Sequence, residues 1–566
     1  MRQNSVIGLC LCVIVLCLSC EAAPPCENGR RDGSESDVDC GGACGPSCAT
    51  GQRCGSRLDC ASGACSSGQC LAGSCSDTIR NGSESDVDCG GGSCPSCGEG
   101  GRCLVDGDCS GGPCVHGQCA GAPELSPQRG GVAGGTTLTL RGHPELPPIR
   151  AVLLDGVEAS GLQLQPDGSV QVTTPPRSRS GAVDVVLQRE DGRQETLKGA
   201  FRYYFTRVTF GSPIDIPSVG FRCSSLDTGD LNQDGKLDLV LGCFNANAYV
   251  YLGKGDGTFE QPTNVRFDSA TELRLADVNN DGRPDVISAI YSTAATFNNI
   301  VISITEKDGT LMGNNYFKLK HPPTGFALVD LNQDKYLDIV VTHENYDSLT
   351  VMMNRGDGTF VDQDPTKELL VSSFFPISIA AADFDGNGKP DVVINDRNSN
   401  ITPSVTVLYN SGSGSLSSSA VVPALGITIP VAATDWDDDG RPDIVASDTA
   451  RVDFIRNRGG GFDPPVRVEL GSLTPNRTRN ARLADLNGDG VQDLILSSGQ
   501  MADVAEIGIV VAPGRGRAQP AFGVAACSYG IAAAGDFTGD GLPDLVTACQ
   551  SGTGPVVQLF ANTSAE

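Results

Sequence analysis

From residue 205 onward, apolar residues come in short clusters, each preceded by a run of carboxylates and a glycine. The clusters are Leu239-Val-Leu, Val286-Ile, Ile339-Val-Val, Val392-Val-Ile, Ile444-Val, Leu494-Ile-Leu and Leu545-Val. Runs this short, bounded by turn residues and rich in β-branched side chains, predict buried strands. The acidic loops before them start at Asp230, Asp277, Asp330, Asp383, Asp435, Asp485 and Asp536, at intervals of 47, 53, 53, 52, 50 and 51 residues. A period of about fifty residues, sustained to the last residue, marks a repeat architecture. Each unit reads strand, acidic loop, strand, variable loop, strand, glycine-rich turn, strand. The turn is clearest at residues 253–259 and 354–360. Four strands per repeat predict a propeller blade, and seven loops predict seven blades. The chain enters this region on residues 207–210 and leaves on 556–560, so the first strand is expected to complete the last blade and remove the free edge.

Upstream, residues 122–204 alternate β-prone runs with glycine and proline turns, as in 134–142, 151–156, 170–175 and 181–187. That pattern predicts a small β-sandwich. Residues 26–119 differ again, with little but Gly, Ser, Asp and cysteine. Cys26, Cys40, Cys44, Cys48, Cys54, Cys60, Cys65 and Cys70 are repeated 49 residues later as Cys75, Cys89, Cys97, Cys103, Cys109, Cys114 and Cys119, with Cys94 offset by 50. Units this small cannot bury a core, so disulfides are expected to hold them. Eight cysteines allow about 105 pairings, and spacing does not choose among them. A zinc site at Cys94-Pro-Ser-Cys97 is the rival reading.

Composition agrees with many strands and turns: 19% charged residues, 5% aromatic and 71 glycines in 566 residues. The net charge of −27 argues against nucleic-acid binding. Much of it is metal-ligand stock, because the seven loops hold 22 carboxylates at ligand positions. The fullest loop is Asp435-Trp-Asp437-Asp-Asp439-Gly440-Arg-Pro-Asp443. Alternate oxygens in a tight turn can surround one hard cation, and Ca²⁺ takes six to eight of them. The glycine at position 6 supplies the left-handed turn. Position 12 is never acidic and strands follow, so these are not EF-hands.

The expected ligands stand at positions 1, 3, 5 and 9, with a carbonyl from position 7. They are Asp230, Asn232, Asp234 and Asp238; Asp277, Asn279, Asp281 and Asp285; Asp330, Asn332, Asp334 and Asp338; Asp383, Asp385, Asn387 and Asp391; Asp435, Asp437, Asp439 and Asp443; Asp485, Asn487, Asp489 and Asp493; and Asp536, Thr538, Asp540 and Asp544. Five to seven Ca²⁺ ions follow as the cofactor. The fifth loop, with four carboxylates, is expected to bind tightest. The third carries Lys335 where glycine belongs, and the seventh has the poorer ligand Thr538. Cys223 and Cys243 flank the first loop, and Cys527 and Cys549 the seventh, which makes bridges within a blade or across the closing seam candidates.

Catalytic signatures are scarce. His116, His143, His321 and His343 stand in different contexts, and no nucleophile triad, zinc triad or phosphate loop is present. Arg355-Gly356-Asp357 lies inside a turn the repeat requires anyway, so its adhesive meaning is discounted. At the N-terminus, Arg2 and an apolar stretch over residues 6–18 precede Leu16-Cys17-Leu18-Ser19-Cys20. This resembles a bacterial lipobox with Cys20 lipidated, against an ordinary cleaved signal ending near Ala23. Export follows either way, and with it oxidised thiols.

The Asp-x-Asn/Asp-x-Asp-Gly-x-x-Asp loops and Gly-Asp-Gly-x-Phe turns resemble the FG-GAP/VCBS repeats, related to the integrin α-subunit propeller. The Gly134-Gly-Thr turn, the Thr-Thr-Pro before residues 181–187 and the closing Phe201-x-Tyr203 resemble the IPT/TIG immunoglobulin-like family. The cysteine repeats resemble stalk repeats of exported myxobacterial proteins. The expected organisation is all-β: signal peptide 1–19, disulfide-rich stalk 20–121, Ig-like sandwich 122–204 and seven-bladed propeller 205–566. The resemblances imply a non-catalytic, surface-tethered interaction or adhesion protein. It would be anchored by lipid to the bacterial, outer, membrane or the cell surface and present its propeller to a protein or glycan. The alternatives are a structural envelope component and a carbohydrate-active or polysaccharide-binding protein using the propeller loops. The longest variable loops, 291–299, 396–403 and 498–506, are where a ligand site is expected.

Overall fold

In the computed structural model, residues 29–564 are described except 32, 34, 45–47, 73, 77–79, 81–83, 111, 143–145, 244–246, 267–269, 291–298, 344–345, 363–368, 371–375, 397–403, 425–430, 448–451, 469–479, 498–504, 513–520 and 552–553. Cys20, Cys26 and His143 lie outside the described residues, as does nearly all of the three long variable loops. The chain is all-β; the helical turns among the described residues are single 3₁₀ turns in the cysteine-rich region and a 3₁₀ residue at Tyr346. No helix among the described residues is long and apolar enough to cross a membrane.

The chain divides into two compact units. The first holds residues 1–128, 135–175 and 183–201, and the second holds 129–134, 176–182 and everything from Arg202 onward.

The cysteine repeats share one disulfide pattern. Cys40–Cys48, Cys54–Cys65 and Cys60–Cys70 match Cys89–Cys97, Cys103–Cys114 and Cys109–Cys119. Cys75–Cys94 completes the second copy, and Cys44 is also disulfide-bonded. Cys94 and Cys97 therefore belong to different bridges, which removes the zinc alternative. Each copy is centred on one carboxylate. Asp59 accepts N–H bonds from Gly42, Gly55 and Ser56 and the Ser36 hydroxyl. Asp108 accepts them from Gly91, Leu104 and Val105. With almost no apolar surface to bury, cross-links and charge-assisted hydrogen bonds take the place of a core.

The following region has two sheets. One runs, in spatial order, Ser160–Leu164, Val170–Thr173, Thr137–Arg141 and Glu124–Ser126. The other holds Gly181–Arg189 between Gln194–Tyr204 and Ile149–Leu154. Along Gly181–Arg189, Val183, Val185 and Leu187 are buried while Ala182 and Asp184 are exposed, as a two-layer sandwich requires.

Seven antiparallel meanders follow. The first is Cys223–Gly229, Asp238–Cys243, Asn247–Tyr251 and Thr263–Arg266, paired in that order. The acidic loop joins its first two strands, and the second strand is buried on both faces. Leu239 and Leu241 face Val546 and Leu559 of the seventh repeat, whereas Val240 packs with Val286 and Val301 of the second. Such interfaces continue around the chain: second with third, third with fourth, fourth with fifth, fifth with sixth, sixth with seventh. The seventh returns to the first through Ile531, Val557, Leu226 and Tyr251. The short apolar clusters of the sequence are these doubly buried strands, each side chain worth about 1.5–3 kcal/mol of burial.

Two details differ from expectation. The strand that completes the last sheet is Ile214–Ile216, paired antiparallel with Gly554–Phe560; the expected 207–210 lies beside the end of the same strand, through the isolated bridge from Phe210 to Asn562 and hydrogen bonds of Thr209 with Thr563 and Ser564. Arg207-Val-Thr-Phe is β-prone, but the residues after the Gly-Ser-Pro turn are those lying alongside Val557 and Leu559. The sixth and seventh repeats also share one long strand, Phe522–Gly535, so their strands form a seven-stranded sheet.

Candidate metal centre

The seven acidic loops fold alike. The Asp at position 1 accepts the N–H of position 6 at 2.7–2.9 Å in every loop, from Gly235, Gly282, Lys335, Gly388, Gly440, Gly490 and Gly541. Position 5 then accepts the N–H of position 7, as Asp234 does from Lys236 and Asp540 from Leu542. Position 6 is left-handed in all seven, with φ between 78° and 90°. Lys335 adopts this conformation at φ 78°, so the third loop keeps its shape against the steric preference of an L-residue. Position 4 is left-handed as well: Gln233, Asn280, Gln333, Gly386, Asp438, Gly488 and Gly539 have φ of 58–77°.

Position 9 has a second occupation. All seven of these aspartates are fully buried. One oxygen accepts the N–H of position 2, as Asp238 does from Leu231 at 2.8 Å and Asp443 from Trp436 at 3.0 Å. The other accepts an N–H from the end of the third strand: Gly253, Thr305, Asn354, Asn410, Asn457, Ala512 and Asn562, at 2.8–2.9 Å. The carboxylate thus latches the loop to the glycine-rich turn. Burial raises its pKa, against the pull of these N–H bonds, to about 6 in Asp238, Asp285 and Asp338 and about 7 in Asp443. Asp493 lies well above the usual range and Asp391 and Asp544 are raised, again by burial first.

The structure brings the ligand-position oxygens together. One oxygen each from Asp383, Asp385 and Asp391 lies within 4.8 Å of the others, and the same holds for Asp435, Asp437 and Asp443. Three buried oxygens at ligand positions, Oδ1 of Asp437, Oδ1 of Asp485 and Oγ1 of Thr538, have no hydrogen-bond partner among the described residues. An oxygen-only donor set with orphaned carboxylate atoms fits a hard divalent cation. The fifth loop carries a feature its sequence hid. Arg456 contacts Asp437 at 2.6 Å and Asp439 at 2.8 Å, and Arg441 pairs with Asp439. Two guanidinium charges therefore stand among its four carboxylates and compete with a cation.

Sequence reasoning missed an asparagine that staples neighbouring repeats. The Nδ2 of Asn354, Asn410, Asn457 and Asn562 donates to the carbonyls of Val278, Leu331, Phe384 and Leu486. Each acceptor is position 2 of the preceding loop, so acidic loop and interface are joined by one hydrogen bond. The signal was present as Asn-x-Gly before the turn at Asn354, Asn410 and Asn457.

Other candidates resolve as structure. Asp357, of the Arg-Gly-Asp turn, accepts both the N–H and the hydroxyl of Thr359, as Asp256 does from Thr258 and Asp308 from Thr310. His321 and His343, unrelated in sequence, lie with ring centroids 5.9 Å apart. His343 is buried and bonded through both ring nitrogens, to the Pro322 carbonyl and the Thr350 hydroxyl. Cys223 and Cys243 form a disulfide between paired strands. Cys549 is also disulfide-bonded, and the side chain of Cys527 lies outside the described residues.

Residues 230–288, 330–394 and 435–496 match the family model of the FG-GAP-like repeat. No curated protein matches the chain. Among solved structures, BBS1N in complex with ARL6DN is similar at 13% identity, covering 63% of this chain and 99% of that one, with a TM-score of 0.44. A lectin of Agrocybe aegerita, described as recognising non-reducing terminal N-acetylglucosamine, is 18% identical over 66% of this chain and 93% of its own, with a TM-score of 0.38. A Photorhabdus luminescens Tc holotoxin pore is 18% identical over 72% of this chain and 17% of its own, with a TM-score of 0.33. The chain carries FG-GAP-like repeats in an all-β fold of curled, propeller-like sheets.

Proposed function

We propose that this chain is a non-catalytic interaction protein whose closed seven-bladed propeller is braced by Ca²⁺ and displayed at the cell surface. The observation that carries the reading is the recurrence of one oxygen-lined loop seven times, with the Asp383, Asp385, Asp391 and Asp435, Asp437, Asp443 oxygens gathered within 4.8 Å. The side chains at positions 1, 3 and 5 hold the ion. Position 9 shares its oxygens between ion and latch, each carboxylate oxygen having two lone pairs. The metal's role is structural: it offsets the repulsion of clustered carboxylates and stabilises the folded state by mass action. Around this core, an IPT/TIG-type sandwich and a disulfide stalk act as spacers. Cys20 is the lipid attachment point of an exported bacterial protein, and the ligand is a protein or glycan meeting the variable loops.

The test is calcium stoichiometry on the full chain by equilibrium dialysis, with thermal unfolding in calcium and in chelator. Five to seven ions and a large loss of stability on chelation support the reading. No binding at millimolar calcium refutes it, since extracellular sites bind at about 10⁻⁴–10⁻³ M.

A further inference from the structure

We propose that Arg456 is a resident counter-cation of the fifth acidic loop, which calcium must displace to bind, so that the loop richest in carboxylates is the last to fill. The inference rests on the calcium reading above and gives one residue control of one site's affinity. Arg456 directly follows the third strand of its repeat, Val452–Ile455, and precedes Asn457, whose N–H bonds Asp443 at 2.8 Å. That position holds the guanidinium beside the loop. Its Nε lies 2.6 Å from Oδ2 of Asp437 and its Nη2 2.8 Å from Oδ2 of Asp439, at ligand positions 3 and 5. The two carboxylates are 17% and 14% exposed, so salt screens the contact weakly. Oδ1 of Asp437 has no hydrogen-bond partner among the described residues, so the guanidinium occupies the loop without using up its oxygens.

The other repeats show that the fold does not require this arginine. The equivalent residue, one before the donor to the ninth aspartate, is Leu252, Ile304, Met353, Tyr409, Val511 or Ala561, none of them charged. Those six loops also carry three carboxylates at ligand positions instead of four. The extra carboxylate and the facing arginine thus occur in the same repeat. Pairing of position 7 with position 5 does not set the fifth loop apart, because Lys236 with Asp234 and Arg283 with Asp281 do the same as Arg441 with Asp439. The fourth loop also gathers its oxygens within 4.8 Å, but its Lys389 donates to the Ser411 carbonyl at 2.6 Å instead. Four carboxylates alone would make the fifth loop the tightest calcium site. With Arg456 in place, calcium binds only the fraction of molecules in which the guanidinium has left. A contact kept in about nine molecules of ten weakens the site about tenfold.

The probe is terbium, which takes calcium sites and luminesces when excited through a nearby indole, applied to the full chain. Trp436, at position 2 of the fifth loop, is the only tryptophan, so tryptophan-excited luminescence reports this loop while equilibrium dialysis counts the ions on the whole chain. In the wild type the luminescence should rise last, after the other ions are bound. In Arg456→Met its midpoint should fall about tenfold in terbium, and added calcium should quench it by displacement. Equal midpoints in wild type and Arg456→Met, with ions still bound elsewhere, overturn the proposal and leave the calcium reading standing. No binding to either chain overturns both. Should Arg456→Met fail to fold, the wild type decides: luminescence rising with or before the other ions refutes the displacement, and luminescence rising after them supports it.

Discussion

Replacing Asp443 by alanine tests whether position 9 is a latch as well as a ligand. The substitution leaves the buried N–H groups of Trp436 and Asn457 without their acceptors, bonded at 3.0 and 2.8 Å. Each orphaned donor costs about 1–3 kcal/mol, so the pair costs about 4. The carboxyl's pKa of about 7 lies about three units above its ordinary value, so at pH 7 removing the group returns about 4 kcal/mol and hides the latch; at pH 5, where the folded carboxyl is protonated and only about one unit of the shift is felt, it returns about 1.5 kcal/mol, and the titration is run there. The net loss at pH 5 is about 2.5 kcal/mol, which at a urea slope of about 2 kcal/mol/M moves the midpoint down by about 1.2 M. Trp436 is the only tryptophan in the chain and is buried beside the latch, so its fluorescence reports this repeat alone. The titration is run in chelator, so that loss of a metal ligand does not enter. Asp437→Ala is the control, because Asp437 makes no backbone hydrogen bond among the described residues; it gives up its ion pair with Arg456, which keeps Asp439, and should shift the midpoint by about 0.5 M at most, about 1 kcal/mol. A shift for Asp443→Ala no larger than that of the control refutes the latch and leaves position 9 a ligand only.

Lys335→Gly should stabilise the third loop by about 0.5–1 kcal/mol, the left-handed cost less the extra chain entropy of glycine, seen as a raised urea midpoint. Asn410→Ala removes the hydrogen bonds to Leu331, Pro390 and Gly412 and should cost about 3 kcal/mol, with faster amide exchange at the boundary of the third and fourth repeats. Asp108 is held down to about 2, first by the Ser85 hydroxyl and then by backbone N–H bonds. Its folded pKa lies below the unfolded value, so its contribution is present above about pH 4 and is lost as pH falls through 2. The amide resonances of Gly91, Leu104 and Val105 should titrate together there, and Asp108→Asn should abolish that titration.

The repeat, its period and its β-character were legible in the sequence because they rest on local pattern. A short apolar run needs two buried faces, and an alternating set of aspartates around a glycine is a closed turn whatever surrounds it. The left-handed position 6 could be read from six glycines, and even Lys335 obeys it. Position 4 was harder, because only Gly386, Gly488 and Gly539 advertise a backbone that Gln233 and Asp438 also adopt.

What the sequence could not decide is what depends on residues far apart in the chain. The disulfide pattern needed the tertiary positions of the stalk cysteines, since spacing leaves the alternatives equal. The completing strand lies at Ile214–Ile216 because the backbone beside Gly554–Phe560 is the one that pairs. Arg456, 17 residues beyond Asp439, becomes its partner only when the third strand folds back on the loop. The double duty of the ninth aspartate was hidden for the same reason. Its neighbour on one side is seven residues away and on the other fourteen or more, and a carboxylate's second partner is set by the fold that surrounds it. Local chemistry determined the loops, and tertiary packing decided what their carboxylates touch.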